Sequence, residues 1–312
     1  MNVKKYIRKI FFFSLPILFV LVTFEYFLIK VPNDYSYKRR YLDQNSRQIE
    51  NLILGPSHIF CAVAPEYIDG HTFNASVGGQ PLEYDYKIFN KYKDQFINLK
   101  TIVLGISYPS LWYKLADHER GFSLSFNYNK YYDFSSDLKG FSLNNLEVFN
   151  RPLSINYGIL KKYYINKKPI KVSSKYGWNE SYAQKDLFIS GQKQAERQTL
   201  SRIYSERNKN ILTQNVKLID SIIQWSKTND VKVVLVTTPM HEEFRKLINK
   251  VQLQLMINTA KAIANGHTNT FYYNFFEDNR FEESDFGDAT HLHSRGAIKF
   301  SKILNKELNA LD

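Results

Sequence analysis

The chain has 312 residues, 44% hydrophobic and 23% charged, so it can fold around one large core or two modest ones. Its formal net charge of +12 favours anionic partners such as a phospholipid surface or an anionic glycan. Nucleic acid is disfavoured, because the sequence has no zinc-finger spacing, RNA-binding aromatic motif or compact basic stripe. The single cysteine, Cys61, excludes an intramolecular disulfide.

Residues 1–30 are predicted to form a short cytoplasmic tail and a transmembrane anchor. Basic residues precede Ile10, and the stretch from there to Ile29 carries one charge, Glu25, near its end. About 20 apolar residues are needed to cross the hydrocarbon core. A cleaved signal peptide would need small residues after the apolar run, where bulky Tyr26 and Phe27 stand, so we favour an uncleaved helix. The positive-inside rule then keeps the N-terminus in the cytoplasm and the bulk of the chain outside the cytoplasmic membrane.

Residues 31–48 are polar and are predicted to be a juxtamembrane linker. They include the basic triplet Lys38-Arg39-Arg40. Such a triplet is typical of a solvated face, and it also suits contact with an anionic lipid or glycan.

From residue 49 the pattern predicts strands that alternate with helices. Short apolar runs closed by turn residues predict five strands, at 49–54, 72–74, 101–106, 231–237 and 270–275. Helices are expected at about 58–68, 82–96, 208–228, 241–264 and 294–308, and a loop at 286–291. This alternation predicts a three-layer α/β/α sandwich with a parallel sheet, within one domain over 49–312. In such sheets the functional loops follow the carboxyl ends of the strands.

Residues 107–200 interrupt the alternation and are rich in Tyr, Phe, Asn and Ser. The stretch is too long for an ordinary connection, so we expect an insertion with structure of its own, such as a lid or a substrate platform. Aromatic side chains serve equally as sugar-stacking surfaces and as core. The sequence does not separate these two interpretations for Trp112, Tyr128, Tyr131, Tyr132 and Trp178.

Ser57 directly follows the first predicted strand and precedes a helix, where α/β hydrolases expose a nucleophile. A serine there can also be only the N-cap of the helix. A serine nucleophile needs a base and a group that orients the base, and Asp288-Ala289-Thr290-His291 supplies both at close spacing. The alternative for that segment is a capping aspartate beside a surface histidine. Gly78 and Gly79 allow a backbone oxyanion hole, or simply a tight turn.

Together these segments resemble the SGNH (GDSL-like) hydrolase superfamily. Gly55-Pro56-Ser57-His58 is similar to the Gly-Asp-Ser-Leu block. The stretch from Asn74 to Gly79 is similar to the second block, whose glycine donates to the oxyanion, and Asp288-Ala289-Thr290-His291 is similar to the last block. The resemblance covers residues 49–106 and 231–308, in the family's order, and not the anchor or the insertion.

The resemblance implies acyl transfer through an acyl-serine intermediate. Ser57 would be the nucleophile, His291 the base and Asp288 the group that orients it, with Gly79 as an oxyanion donor. The third block departs from the family, because Ser107 stands where an asparagine usually donates to the oxyanion. Losing one such donor costs on the order of 10²–10³ in rate. We expect no cofactor and no metal site. We expect Cys61 to be a small buried hydrophobe, and His58 to lie on the surface or to pack in the first turn of the helix.

The sequence therefore favours a membrane-anchored, extracytoplasmic serine esterase or O-acyltransferase that acts on a cell-envelope glycan or glycopolymer. Anchored relatives of this layout work beside a multi-spanning membrane acyltransferase, which is a fold-level analogy for a partner. The competing interpretation is a catalytically inactive SGNH-like module that binds glycan or scaffolds an envelope acylation complex. A lipid esterase ranks below both, because the insertion is aromatic but strongly polar.

Overall fold

The computed structural model describes residues 3–117, 121–134, 146–170, 172–180 and 182–311. The chain divides into two units. We name Met1–Tyr37 with Arg120–Val172 the helical unit, and Lys38–Glu119 with Ser173–Asp312 the sheet unit. The insertion expected at about 107–200 thus contributes residues to both units.

The helical unit begins with α1 (Val3–Ile29), which is long and apolar enough to span a membrane and is mostly exposed. The first segment of this unit ends at Tyr37, within helix α2 (Asp34–Asn45). The second segment contains three further helices, named α5, α6 and α7 in chain order. These three helices span Gly121–Tyr132, Glu147–Asn150 and Leu153–Leu160, and α7 continues into a π-helical turn over Lys161–Ile165. Glu25 of α1 pairs with Lys130 at 2.7 Å and accepts from the N–H of Val148 at 2.9 Å. The one charge in the apolar stretch therefore joins α1 to α5 and α6.

The sheet unit is built on five parallel strands in the order β2-β1-β3-β4-β5. The strands are β1 (Asn51–Leu54), β2 (Thr72–Asn74), β3 (Thr101–Gly105), β4 (Lys232–Thr237) and β5 (Thr270–Asn274). The helices of this unit are α3 (Ser57–Ala62), α4 (Leu82–Tyr92), α8 (Leu187–Gln198), α9 (Glu206–Thr228), α10 (Glu242–Arg245), α11 (Lys250–Asn265) and α12 (Ser294–Asn309). A hairpin of β6 (Phe286–Asp288) and β7 (His291–Leu292) precedes α12.

Helices cover both faces of this sheet, which confirms the predicted α/β/α class. Side chains alternate along each strand, so Ile53, Val103 and Val234 share one face, in a cluster with residues of α3 and α12. On the opposite face α4 packs against α9 and α11 covers β5. Helices lie on both faces because the crossovers between parallel strands are right-handed and the chain changes direction across the sheet. It passes from β1 to β2 on one side, and then to β3, β4 and β5 on the other side of β1. The reversal leaves a crevice at the carboxyl ends of β1 and β3.

Four predicted elements differ from the structure. The predicted 31–48 linker contains helix α2, in which Lys38 and Leu42 are one turn apart and fully buried. The helix expected at 58–68 ends at Ala62, because the backbone before Pro65 is held extended. The helix expected at 241–264 is interrupted, since Asn249 caps a new helix at Lys250. The 286–291 loop is a short hairpin.

The basic triplet is only partly solvated. The Lys38 ammonium donates to the carbonyl of Ser76 and lies 4.2 Å from the ring of Phe60. Arg39 pairs with Asp43 at 2.7 Å, and Arg40 is exposed. Lys38 is therefore neither on a solvated face nor available to a lipid or glycan.

Most of the aromatic residues of the insertion that we singled out belong to cores. Trp112, Tyr128, Tyr132 and Trp178 are all at most 4% exposed. Rings that deeply buried cannot present a face to a sugar, so the stacking interpretation is wrong for these four.

Candidate active site

Ser57 is the first residue of α3, three residues after the end of β1, at a sharp turn. Gly55 adopts φ +138°, and a Cβ there would lie 2.8 Å from the side chain of Ile59 and 3.1 Å from the backbone of Gly105. Only glycine fits between this helix and β3. Pro56 occupies the N-cap position, and no side chain caps the helix. The Ser57 hydroxyl is thus not a cap and is hydrogen-bonded elsewhere.

The Ser57 Oγ atom lies 2.8 Å from Nε2 of His291, and Nδ1 of His291 lies 2.8 Å from Oδ1 of Asp288. We name these three residues the Ser57–His291–Asp288 array. The tight hairpin positions its last two members, because the same Oδ1 atom accepts from the N–H groups of Thr290 at 2.9 Å and His291 at 3.0 Å. His291 is 6% exposed and Asp288 is fully buried, so neither is the surface histidine or the capping aspartate of the alternative interpretation.

The electrostatics of Asp288 fix the tautomer of His291. Burial raises the pKa of Asp288, but hydrogen bonds from His291, Tyr182 and the Thr290 backbone outweigh burial and hold the pKa well below its usual range. An ionised carboxylate can only accept hydrogen bonds, so Nδ1 carries a proton. When the ring carries only this proton, Nε2 accepts from the Ser57 hydroxyl.

Tyr182 completes the environment of Asp288. Its hydroxyl donates to Oδ2 of Asp288 at 2.5 Å, and its ring stacks on His291 with 4.9 Å between centroids. The Lys185 ammonium donates to the Tyr182 oxygen at 2.8 Å and lies 3.5 Å from the same carboxylate oxygen. Burial and the Asp288 charge raise the pKa of Tyr182, so it stays a neutral donor.

His58 also stacks on His291, with 4.9 Å between centroids and parallel planes. Burial, and then the charge of His291, lower the pKa of His58 to about 3, so its ring is neutral. Among the described residues neither ring nitrogen has a hydrogen-bond partner. The His291 imidazole is thus in contact with the rings of both His58 and Tyr182.

Gly79 and Ser107 follow β2 and β3, the strands on either side of β1. Gly79 lies in a turn with φ +75°, a conformation that favours glycine, and its carbonyl accepts from Tyr113 at 3.4 Å. Ser107 is buried, its N–H donates to Oγ of Ser110 at 2.9 Å, and the two hydroxyls lie 2.7 Å apart. Both predicted oxyanion donors therefore stand at the sheet edge that carries Ser57, outside the hydrogen bonds of the array.

Cys61 and two further histidines, His241 and His293, are explained by packing and by helix ends. Burial raises the pKa of Cys61 to about 12, consistent with an inert packing residue. His241 caps α10 by accepting from the N–H of Glu243, and His293 occupies the N-cap position of α12. Within the described ranges, no cluster of histidine, cysteine and acidic side chains could hold a metal ion.

No family model matches the sequence, and no curated protein matches it. Among solved structures, a proposed platelet activating factor from Streptococcus pneumoniae aligns over 93% of this chain and 99% of its own, with 12% identity and a TM-score of 0.42. A proposed acylhydrolase from Bacteroides fragilis aligns over 88% and 96%, with 12% identity and a TM-score of 0.42. A GDSL-like lipase from Bacteroides thetaiotaomicron aligns over 88% and 99%, with 11% identity and a TM-score of 0.41.

At such low similarity these matches assign no role to any residue. What the structure adds to the sequence resemblance is its own layout. A parallel sheet in the order 2-1-3-4-5 brings Ser57 after β1 and the Asp288–His291 hairpin before the last helix to one edge.

Proposed function

We propose that this chain is an SGNH-type serine esterase or O-acyltransferase that works through an acyl-serine intermediate. The observation that supports this most is the array itself, whose two contacts, Ser57 Oγ to His291 Nε2 and His291 Nδ1 to Asp288 Oδ1, are both 2.8 Å. An unactivated serine hydroxyl is a weak nucleophile, and a neutral histidine oriented by a carboxylate is the group that activates it.

In this mechanism the Ser57 oxygen attacks the carbonyl carbon of an ester while its proton passes to Nε2 of His291. The tetrahedral intermediate collapses, the imidazolium returns the proton to the leaving alcohol, and the acyl group stays on Ser57. Water or a sugar hydroxyl then gives its proton to Nε2 and attacks the acyl carbon. The bond between this carbon and the Ser57 oxygen breaks, the imidazolium returns the proton to that oxygen, and an acid or a new ester is released. Asp288 stays ionised and stabilises the imidazolium in both steps.

Gly79 and Ser107 are the proposed oxyanion donors, the first through its N–H and the second through its hydroxyl. Ser110 accepts from the N–H of Ser107 and can direct its own hydroxyl proton to the Ser107 oxygen. In that arrangement the hydroxyl proton of Ser107 points away from Ser110 and is available to an oxyanion.

The finer proposal concerns place and substrate. Helix α1 and the basic residues before it favour an anchor in the cytoplasmic membrane with the bulk of the chain outside. The net charge of +12 favours an anionic envelope glycan or glycopolymer as acceptor. A multi-spanning membrane acyltransferase is the proposed source of acyl groups if the chain is a transferase.

The direct test of activity is hydrolysis of p-nitrophenyl acetate by the full chain in detergent. We expect turnover that Ser57→Ala and His291→Ala each reduce by about 10³-fold or more, while the exposed Ser221→Ala control turns over at the wild-type rate. Adding an envelope glycan separates the two reactions, since a transferase releases nitrophenol without an equal amount of acetate. Turnover that persists in Ser57→Ala would contradict the proposal.

The second candidate is a catalytically inactive SGNH-like module that binds glycan. It is favoured by one observation, that Ser107 replaces the usual asparagine and is engaged by Ser110. For this candidate we expect a folded wild-type protein that binds glycan and does not turn over the ester.

A further inference from the structure

The helical unit carries an exposed apolar segment that its own helices do not cover. Within residues 149–165, from the end of α6 through α7 to the π-helical turn, five large apolar side chains have exposed fractions from 44% to 67%. We name them the apolar ridge: Phe149, Leu153, Ile155, Tyr157 and Ile165. Phe149 is on α6, three of the five are on α7, and Ile165 is on the π-helical turn. Leu153 and Tyr157 are one turn apart and Ile155 lies about 160° round the helix from them, so α7 exposes apolar side chains on more than one side. Single exposed apolar residues are ordinary, but this concentration within one segment marks an interaction surface.

The position of the ridge relative to α1 indicates what covers it. The Tyr164 hydroxyl donates to the carbonyl of Phe27 at 3.0 Å, and the two rings are 5.2 Å apart. The apolar stretch of α1 rises about 30 Å, one hydrocarbon thickness, so its last turn lies at the boundary away from the basic N-terminus. The segment that is bonded to Phe27 therefore lies at the same boundary.

The charges around the ridge fit a surface of phosphate groups. Residues 148–170 contain no Asp or Glu and five basic residues. Lys167, Lys168, Tyr163 and Tyr164 line a shallow cavity of about 410 Å³, and Lys167 holds a left-handed backbone at φ +52°. Tyrosine and lysine beside apolar residues are the composition of an element that lies in a membrane interface.

We infer that α7 and its following turn are a second membrane contact, lying in the interface with the ridge among the acyl chains and the lysines on the phosphate groups of anionic phospholipids. This inference rests on the membrane anchor of the proposed function. It adds that the helical unit is held against the lipid surface along α7 as well as through α1. Lysines near an anionic surface are attracted to it, so the contact depends on lipid charge.

The test uses the full chain in vesicles of phosphatidylcholine and phosphatidylglycerol whose acyl chains carry a nitroxide quencher. Cys61 is 1% exposed, so a cysteine introduced at the surface is labelled selectively by a fluorophore. Three variants are compared: Phe13→Cys in α1, Ile155→Cys in the ridge and Leu247→Cys on the sheet unit, all of them exposed positions. We expect strong quenching at positions 13 and 155 and none at 247.

The outcomes are separable. Quenching at 13 without quenching at 155 overturns the inference and leaves the anchor intact. A protein partner would then be the proposed occupant of the apolar ridge. Absence of quenching at both positions overturns the anchor and, with it, this inference. Equal quenching at 155 and 247 means non-specific adsorption and also overturns it.

A second arm tests the lysines. Quenching at position 155 is expected to increase when phosphatidylglycerol is added to phosphatidylcholine. That increase should be lost in the double variant Lys167→Gln and Lys168→Gln, and kept in the charge-matched control Lys217→Gln and Lys227→Gln. An increase that survives the first pair contradicts the role given to these lysines.

Discussion

Tyr182 contacts the oxygen of Asp288 that His291 does not use. It therefore draws part of the carboxylate charge away from the imidazole, as Lys185 does at the same oxygen. Tyr182→Phe keeps the ring stacked on His291 and removes this one donor. A hydrogen bond to a charged group is worth about 1.5–3 kcal/mol, so we expect ester turnover to fall by about tenfold or more.

The pH profile distinguishes this positioning role from a merely structural one. Without the Tyr182 donor, Asp288 attracts the protonated imidazole more strongly, so the acidic limb of the kcat/KM profile should move to higher pH. Tyr272→Phe, which loses a buried hydrogen bond to Thr237 elsewhere, should leave that limb in place. A Tyr182→Phe profile that coincides with the wild-type profile would show that Tyr182 does not act through Asp288.

His58 provides a flat neutral ring that stacks on His291. His58→Phe keeps a stacking ring without nitrogens, and His58→Ala removes the ring. Because an aromatic pair contributes about 0.5–1.5 kcal/mol, we expect the alanine variant to lose up to about tenfold in turnover and the phenylalanine variant much less. Equal loss in both variants would instead assign a chemical task to a ring nitrogen of His58.

At the level of elements, α2 is joined to the loop that carries Gly79. The buried Lys38 ammonium donates to the Ser76 carbonyl, three residues before Gly79. Lys38→Met keeps the aliphatic stem but leaves this carbonyl without that donor, which should lower the free energy of unfolding by about 1–3 kcal/mol. The neighbouring exposed Arg40→Met should change it by less than about 0.5 kcal/mol, and chemical denaturation of both variants measures the difference.

The elements that sequence reasoning predicted are those with a local signal. Apolar runs ending in turn residues located the five strands, and the spacing of Ser57, Asp288 and His291 identified the residues that the structure joins by hydrogen bonds. Helix α2 was missed because one of its buried side chains is Lys38, and a lysine counts as polar when hydrophobic periodicity is used to find helices.

The supporting residues of the site have no such signal. Tyr182 is 109 residues before His291, in a stretch without periodicity, so only the tertiary fold brings them together. His58 was expected either on the surface or packed in the first turn, and the structure buries it in contact with His291. A buried neutral histidine and a buried tyrosine are indistinguishable in sequence from ordinary core residues.

For the whole molecule, the proposed topology places the N-terminus in the cytoplasm and the sheet unit outside. A membrane-impermeant maleimide applied to intact cells should label Leu247→Cys and not Lys4→Cys, whereas both should react after permeabilisation. The buried Cys61 keeps the background low, because burial raises the pKa of its thiol to about 12. Labelling of position 4 alone in intact cells would reverse the topology and exclude an envelope substrate.

The central claim is that Ser57 is an activated nucleophile, and its most direct test is covalent capture by a fluorophosphonate probe. The full wild-type chain in detergent is compared with Ser57→Ala, His291→Ala and the exposed control Ser221→Ala, each checked for folding by circular dichroism. We predict that wild type and Ser221→Ala acquire one probe, mapped by peptide mass spectrometry to Ser57, and that the other two variants acquire none. A folded wild-type protein that takes up no probe, or takes it up at another residue, would contradict the account.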